Sequence, residues 1–344
     1  MKLKKLVPLF LGPAILFSSA SADKYAGEFL RIGAGARALG MGGAFVAVAD
    51  DGTAGFWNPA GLVFLKKKEL FLMHSEQFGS LLNYDFGSFV FPLEEEGRSA
   101  VSVGFVRLGT DNIPYTNDLQ FEDYGRDGIQ ATQDEGENNG IREPYERIIY
   151  DEARVQWKSD SESAMMLGYG RIAGERLKLG GSFKIIRQVI GDNSSFGAGL
   201  DFGAVYEPAA WVSFGLMAKD FTTTPITWDT GKREFISPTL RMGLQITRHV
   251  EKANGAFTVS GDLLLGFEGT RTYSSESPLK RVTADGFVGG EFWFLRSIAL
   301  RAGLEDGRPN AGAGFRYRRF GVDYAFLSHE DLDASHRVSG SIRF

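Results

Sequence analysis

The chain has 344 residues, a net charge of −5 at neutral pH, 44 glycines and no cysteine. It therefore has no disulfide framework, no thiolate metal site and no cysteine for lipid attachment. The acidic balance, without a basic stripe, argues against a nucleic-acid partner. Aromatic residues make up 13% of the chain and the mean hydropathy is near neutral at −0.14. That balance is expected of a membrane barrel, whose lipid-facing and lumen-facing residues alternate.

Lys2, Lys4 and Lys5 precede an apolar run from Leu6 to Phe17, and Ala20-Ser21-Ala22 forms an A-x-A cleavage site. This order reads as a secretory signal peptide over residues 1–22, with a mature chain starting at Asp23. The run is broken by Pro8, Gly12 and Pro13 and is too short to span a bilayer. No later stretch is long and apolar enough for a spanning helix, so the exported chain is periplasmic, secreted or a β-barrel.

Residues 23–68 are dense in small residues, among them Gly33, Gly35, Gly40, Gly42 and Gly43. Turn signals follow at Asp50-Asp51-Gly52 and in Trp57-Asn58-Pro59-Ala60-Gly61. Such a segment suits a compact hatch or plug in the barrel mouth or lumen; the other reading is a strap along the wall. Gly33-Ala34-Gly35-Ala36-Arg37-Ala38 fits the dinucleotide pattern G-x-G-x-x-A. No strand precedes it and no βαβ unit follows, so that reading is rejected.

A period of two recurs from about residue 69 to the end, the mark of strands with one apolar and one polar face. Strands are predicted near 69–77, 82–92, 98–108, 161–173, 176–190, 195–207, 211–220, 238–248, 256–268, 282–294, 297–305, 309–318, 319–328 and 335–344. The expected fold is an all-β transmembrane antiparallel barrel of about 14 strands. Residues 148–158 are read as the rim of a long loop in preference to an additional strand, which would make the strand count odd. Short connections at 93–97, 174–175, 208–210, 249–255, 295–296 and 318–319 are assigned to the periplasm. The connections at 109–160, 221–237, 269–281 and 329–334 are assigned to the outside. The stretch 109–160 is acidic, with Asp111, Asp118, Asp134, Glu137 and Glu146 among its carboxylates. It reads as a solvated loop, or alternatively as a cation-binding or docking surface beside lipopolysaccharide.

The polar phase of the strands places Asp201, Arg241, Asp262, Arg301, Glu305, Arg316, Asp323, Arg337 and Arg343 in the lumen. Mixed charges there pair with one another and with a plug; the arginines could also hold a ligand carboxylate. The closing strand presents Val338, Gly340, Ile342 and Phe344 on one face and Arg337, Ser339, Ser341 and Arg343 on the other. A terminal aromatic residue suits the periplasmic girdle of an outer-membrane barrel, and this strand is expected to pair with the first.

No catalytic set is legible. The four histidines make no metal-binding pair at helical spacing, and His74 and Ser75 point to opposite faces. His329, Glu330, Asp331, Asp333 and His336 crowd one predicted external loop, read as a solvated turn in preference to a cation trap. The chain is read as a non-enzyme without metal or cofactor.

The ordered combination from Gly33 to Asp51, followed by Trp57-Asn58-Pro59-Ala60-Gly61-Leu62, resembles the N-terminal hatch of the FadL-like outer-membrane transporter superfamily. It is most similar to the PorV/PorQ branch. Trp228-Asp229-Thr230-Gly231-Lys232 and His336-Arg337-Val338-Ser339 extend the likeness. The resemblance implies a monomeric barrel with an internal hatch, to which Asn58, Pro59 and Ala60 carry over, and uptake or export of hydrophobic small molecules through a side opening. For PorV-like members it implies instead a part in type IX secretion, docking exported proteins or secretion-complex subunits. The long acidic stretch departs from the family's shorter loop.

Overall fold

The computed structural model describes residues 26–77, 81–94, 96–116, 119–267, 282–328 and 334–344. The signal segment, Asp118, and the His329, Glu330, Asp331 and Asp333 set lie outside the described residues.

Fourteen antiparallel strands form the wall of a cylinder. They are β1 Glu69–Gln77, β2 Leu82–Pro92, β3 Ser99–Tyr115, β4 Gln156–Ile172, β5 Leu177–Ile190, β6 Asn193–Ala209 and β7 Val212–Lys219. The second half is β8 Thr239–Val250, β9 Gly255–Phe267, β10 Val282–Phe294, β11 Ile298–Glu305, β12 Arg308–Tyr317, β13 Phe320–Leu327 and β14 Ser335–Arg343. Each pairs with its neighbour in the chain, and β14 closes on β1 with Glu69 opposite Arg343 and His74 opposite Val338. Closure leaves no open edge, the condition for strands to cross a bilayer.

The side-chain phase follows the sequence. On β14, Val338 is 53% exposed and Ser339 1%. Leu72, Phe105, Leu167, Phe183, Leu244 and Leu263 all face outward around the wall. An apolar belt of this extent faces lipid. Inside, the alternate positions are small or charged, including Gly199, Asp201 and Gly203 on β6. At one end of the barrel every connection is short. The long connections, 116–155 and 220–238 among them, gather at the other end.

Three expectations need correction. First, β3 and β4 reach Tyr115 and start at Gln156, so the acidic connection is shorter than 109–160. A bulge between Thr110 and Ile113, with Asn112 at φ 57°, shifts the side-chain phase there and hides the period. Second, the loop rim read at 148–158 ends at residue 155: Ile148–Ile149 pairs with Gln120–Phe121 and adds no wall strand, as expected, but Gln156 already belongs to β4. Third, the expected loop 221–237 contains a hairpin, Thr224–Trp228 with Arg233–Ile236. It joins the upper part of β6 through Ile226 opposite Gly197 and brings the hydrogen-bonded sheet to 16 strands.

Candidate functional site

The N-terminal segment lies within the cylinder. It contains a 3-10 turn Glu28–Arg31, helix α1 Ala36–Gly40, helix α2 Ala54–Trp57 and a second 3-10 turn Pro59–Phe64. From Gly33 to Ala49 every side chain is buried. Its start lies near the end with the long connections, where Gly27 meets Ile236 of the hairpin. It leaves at the short-turn end, entering β1 at Glu69.

Small residues make this packing possible from both sides. Gly42 and Gly43 end α1 with φ of 60° and 74°, a conformation that disfavours other residues. A Cβ on Gly42 would lie 2.6 Å from the Leu304 nitrogen of β11. On the wall, a Cβ on Gly289 or Gly303 would collide with the Met41 backbone. Gly40 rests on Gly312 of β12 in the same way, and Pro59 and Ala60 rest on Gly180 of β5. Outside Gly289 and Gly303 lies an apolar groove of about 650 Å³, lined by Phe257, Val288, Phe292, Leu300, Leu304 and Pro309. One layer of backbone separates it from Met41.

Polar contacts fix the segment. Asn58 is wholly buried. Its amide donates to the carbonyls of Val46 at 2.9 Å, Ala204 at 3.1 Å and Leu216 at 3.4 Å, while its oxygen accepts from Ala60 N at 3.1 Å. It thus ties two parts of the segment to β6 and β7. Trp57 Nε1 donates to Ala34 O at 2.7 Å, and the ring packs edge-on against Phe45 and Phe56. Near α1, Ala36 N donates to Ser339 Oγ of β14 at 2.8 Å, and Gly35 N to Met73 Sδ of β1 at 3.1 Å.

A chain of charges crosses from segment to wall. Arg37 donates to Glu291 of β10 through Nε and Nη2, each at 2.9 Å, and also pairs with Asp50 and Asp51. Burial alone would lower the Arg37 pKa, but Asp50, Glu291 and Asp51 outweigh it and hold the guanidinium above its ordinary range. Glu291 also accepts from Arg301 at 2.6 Å; Arg301 pairs with Asp323 at 2.9 Å, and Asp323 with Arg316 at 2.7 Å. On the other side, Asp262 accepts from Phe45 N at 2.9 Å, Val46 N at 3.0 Å and Arg241 Nε at 3.0 Å. Arg241 also donates to Gly43 O at 2.6 Å.

The predicted lumen residues thus fall into separate sets. Arg301, Arg316 and Asp323 form one, joined to the segment through Glu291. Arg241 and Asp262 form another. Asp201 lies apart, accepting from Lys184 at 2.8 Å beside Asp220. Arg343 pairs with Glu69 at 2.5 Å. Arg337 is buried, its guanidinium 5.6 Å from the Tyr84 ring centroid and donating to the Gln77 side-chain oxygen at 2.8 and 3.1 Å, with no ion pair among the described residues. Sequence reasoning missed Arg37, Glu291, Lys184 and Lys219 as site residues. Glu291 was legible in principle, since it shares an inward phase with Phe287 and Gly289. Among the described residues no cluster could hold a metal ion.

The sequence matches no protein-family model and no curated protein. Its fold does match solved structures. The toluene transporter TodX of Pseudomonas putida superposes with a TM-score of 0.55 at 12% identity, covering 90% of this chain and 97% of that one. A FadL homologue of Pseudomonas aeruginosa gives 0.53 at 12% identity, with 90% and 97% covered. The CymD monoaromatic hydrocarbon channel gives 0.50 at 12% identity, with 91% and 97% covered. The chain has the FadL-type barrel fold.

Proposed function

We propose that this protein is a bacterial outer-membrane barrel that passes hydrophobic small molecules, with residues 33–62 acting as its hatch. The observation that carries the reading is the internal segment. It packs against the inner wall and is held there by the Arg37–Glu291 pair, Arg241, Asp262 and Asn58, beside glycine-to-backbone contacts. Such contacts can be exchanged for others without dismantling the wall, whose strands pair with one another. A lumen that holds such a buried segment suits apolar cargo, which a water-filled pore passes poorly. The shared fold with a toluene transporter and a monoaromatic hydrocarbon channel supports the same solute class. Toluene uptake by cells carrying the protein tests it. Faster uptake than by cells without it is expected, and equal rates would overturn the reading.

A second reading rests on the PorV/PorQ likeness of residues 33–62. The connection above β3 and β4 exposes Ile129 at 60%, Ile141 at 67% and, at its base, Trp157 at 67%, a surface suited to docking exported proteins. Recovery of such proteins with the purified barrel, lost on trimming this connection, tests it.

A further inference from the structure

The outer groove has a floor of three small residues side by side. Gly290 of β10 lies opposite Ala302 of β11, and Ala302 opposite Ala311 of β12. All three belong to the outward phase of their strands, between the larger Phe292 and Leu300 on one side and Leu304 on the other. From Ile298 to Leu304 the chain rises about 20 Å, at about 3.4 Å per residue. At a strand tilt of about 40° this is about 15 Å along the bilayer normal, half of a hydrocarbon core about 30 Å thick. The groove therefore lies at the depth of one leaflet, the one beside the short turns.

Those turns are basic below the groove. The β10–β11 turn, Leu295-Arg296-Ser297, lies under its floor, and the β12–β13 turn, Arg318-Arg319, lies beside it. Arg316 N donates to Ser297 O at 2.7 Å and joins the two. Neither turn contains a carboxylate. Arg296, Arg318 and Arg319 are exposed and make no ion pair among the described residues. The Arg318 guanidinium lies 5.3 Å from the Tyr317 ring centroid, and that of Arg319 lies 5.4 Å from the Phe320 centroid. Both rings face outward. Cations resting on outward aromatic rings at the end of a spanning strand sit at the head-group level.

We infer that the groove seats an acyl chain of an anionic glycerophospholipid from the leaflet at the short-turn end, with its phosphate held by Arg296, Arg318 and Arg319. A phosphodiester accepts charge-assisted hydrogen bonds from guanidinium groups. Cations without a carboxylate favour a head group of net negative charge over one whose ammonium cancels its phosphate. Elsewhere on the same rim Arg171 and Arg176 are also exposed, but Leu167, Tyr169 and Phe183 fill outward positions of the wall above them. The lipid lies on the outer face of the wall, so the inference goes beyond the transport reading and needs only the barrel in its bilayer.

The test adds phosphatidylglycerol or phosphatidylethanolamine, with the same two acyl chains, to the purified barrel in detergent. Native mass spectrometry then reads the lipid bound. The wild type is expected to bind phosphatidylglycerol about tenfold more tightly. Arg296→Gln, Arg318→Gln and Arg319→Gln together should remove that preference, and lysine at the same three positions should keep most of it. Arg171→Gln with Arg176→Gln should keep it in full. Ala302→Leu with Ala311→Leu fills the floor and should weaken both lipids alike, with the preference retained. Equal affinity of the wild type for the two lipids overturns the inference. An equal loss of preference in the Arg171 and Arg176 variant overturns it as well, since the attraction would then belong to the whole rim. Undiminished binding to the barrel with the filled floor would overturn the seat in the groove.

Discussion

Arg37 and Glu291 face each other through two parallel hydrogen bonds of 2.9 Å, one residue in the internal segment and the other in the wall strand β10. A bidentate pair of this kind fixes direction as well as distance. Removing Arg37 leaves Glu291 to share Arg301 with Asp323 and takes its ion pair from the buried Asp51, a loss of up to about 3–5 kcal/mol. Arg37→Met should therefore loosen residues 33–52 without opening the barrel. Hydrogen exchange should show faster exchange in those amides, with protection in β1 to β14 retained. The double variant Arg37→Met with Glu291→Met should lose less protection than the single one, because it also removes the carboxylate that Arg37 no longer neutralises, while Arg301 keeps Asp323.

Asn58 offers a test of the polar staple. Asn58→Ala leaves three carbonyls and one amide without their partner, a loss of about 1–3 kcal/mol. Asn58→Asp should be worse, since it turns an acceptor toward the carbonyls of Val46, Ala204 and Leu216. Limited proteolysis of the segment should rank the proteins wild type, Asn58→Ala, Asn58→Asp in order of increasing cleavage.

Close approach of backbone to backbone is tested at Gly303. A side chain there would occupy the place of Met41, so Gly303→Val should push the segment off β11. Single-channel recordings should show larger or more frequent openings than the wild type. A counterpart on the outer face, Ala302→Val, points into the lipid-facing groove and should leave the recordings unchanged.

The outward belt gives a fourth expectation. Val338→Arg places a guanidinium in the apolar belt at a cost of about 2–4 kcal/mol if it lies near the bilayer midplane. Unfolding by urea from lipid vesicles should report that loss. Gly340→Ala, on the same face, should stay close to the wild type.

Much of the wall was legible in the sequence because a strand with two different faces writes its period directly. Val338, Gly340 and Ile342 against Ser339 and Ser341 gave both the phase and the pairing with β1. The upper part of β3 was not legible, because the bulge at Asp111 and Asn112 breaks the phase. The hairpin at Thr224–Trp228 is only a few residues long, and Pro225 with the polar turn at Asp229 and Lys232 looks like a loop. In the candidate site, Asn58 was found through its neighbours Pro59 and Ala60. The partnership of Arg37 with Glu291 was not, since the two are 254 positions apart and local pattern carries no information about which charges meet across a lumen. Lys219 shares its inward phase with Gly215 and Met217, but its place 4.0 Å from the Phe56 ring centroid exists only in the folded chain.

The most direct measurement of hatch function uses the absence of native cysteine. Ala36 N and Ser339 Oγ are 2.8 Å apart, so Ala36→Cys with Ser339→Cys places a thiol on the segment beside one on the wall. Toluene uptake is then followed in cells carrying this variant, before and after reduction of the disulfide. Uptake should fall to the level of cells lacking the protein when the pair is oxidised and recover on reduction. Uptake that is equally fast in the oxidised and reduced states would contradict a hatch that has to move.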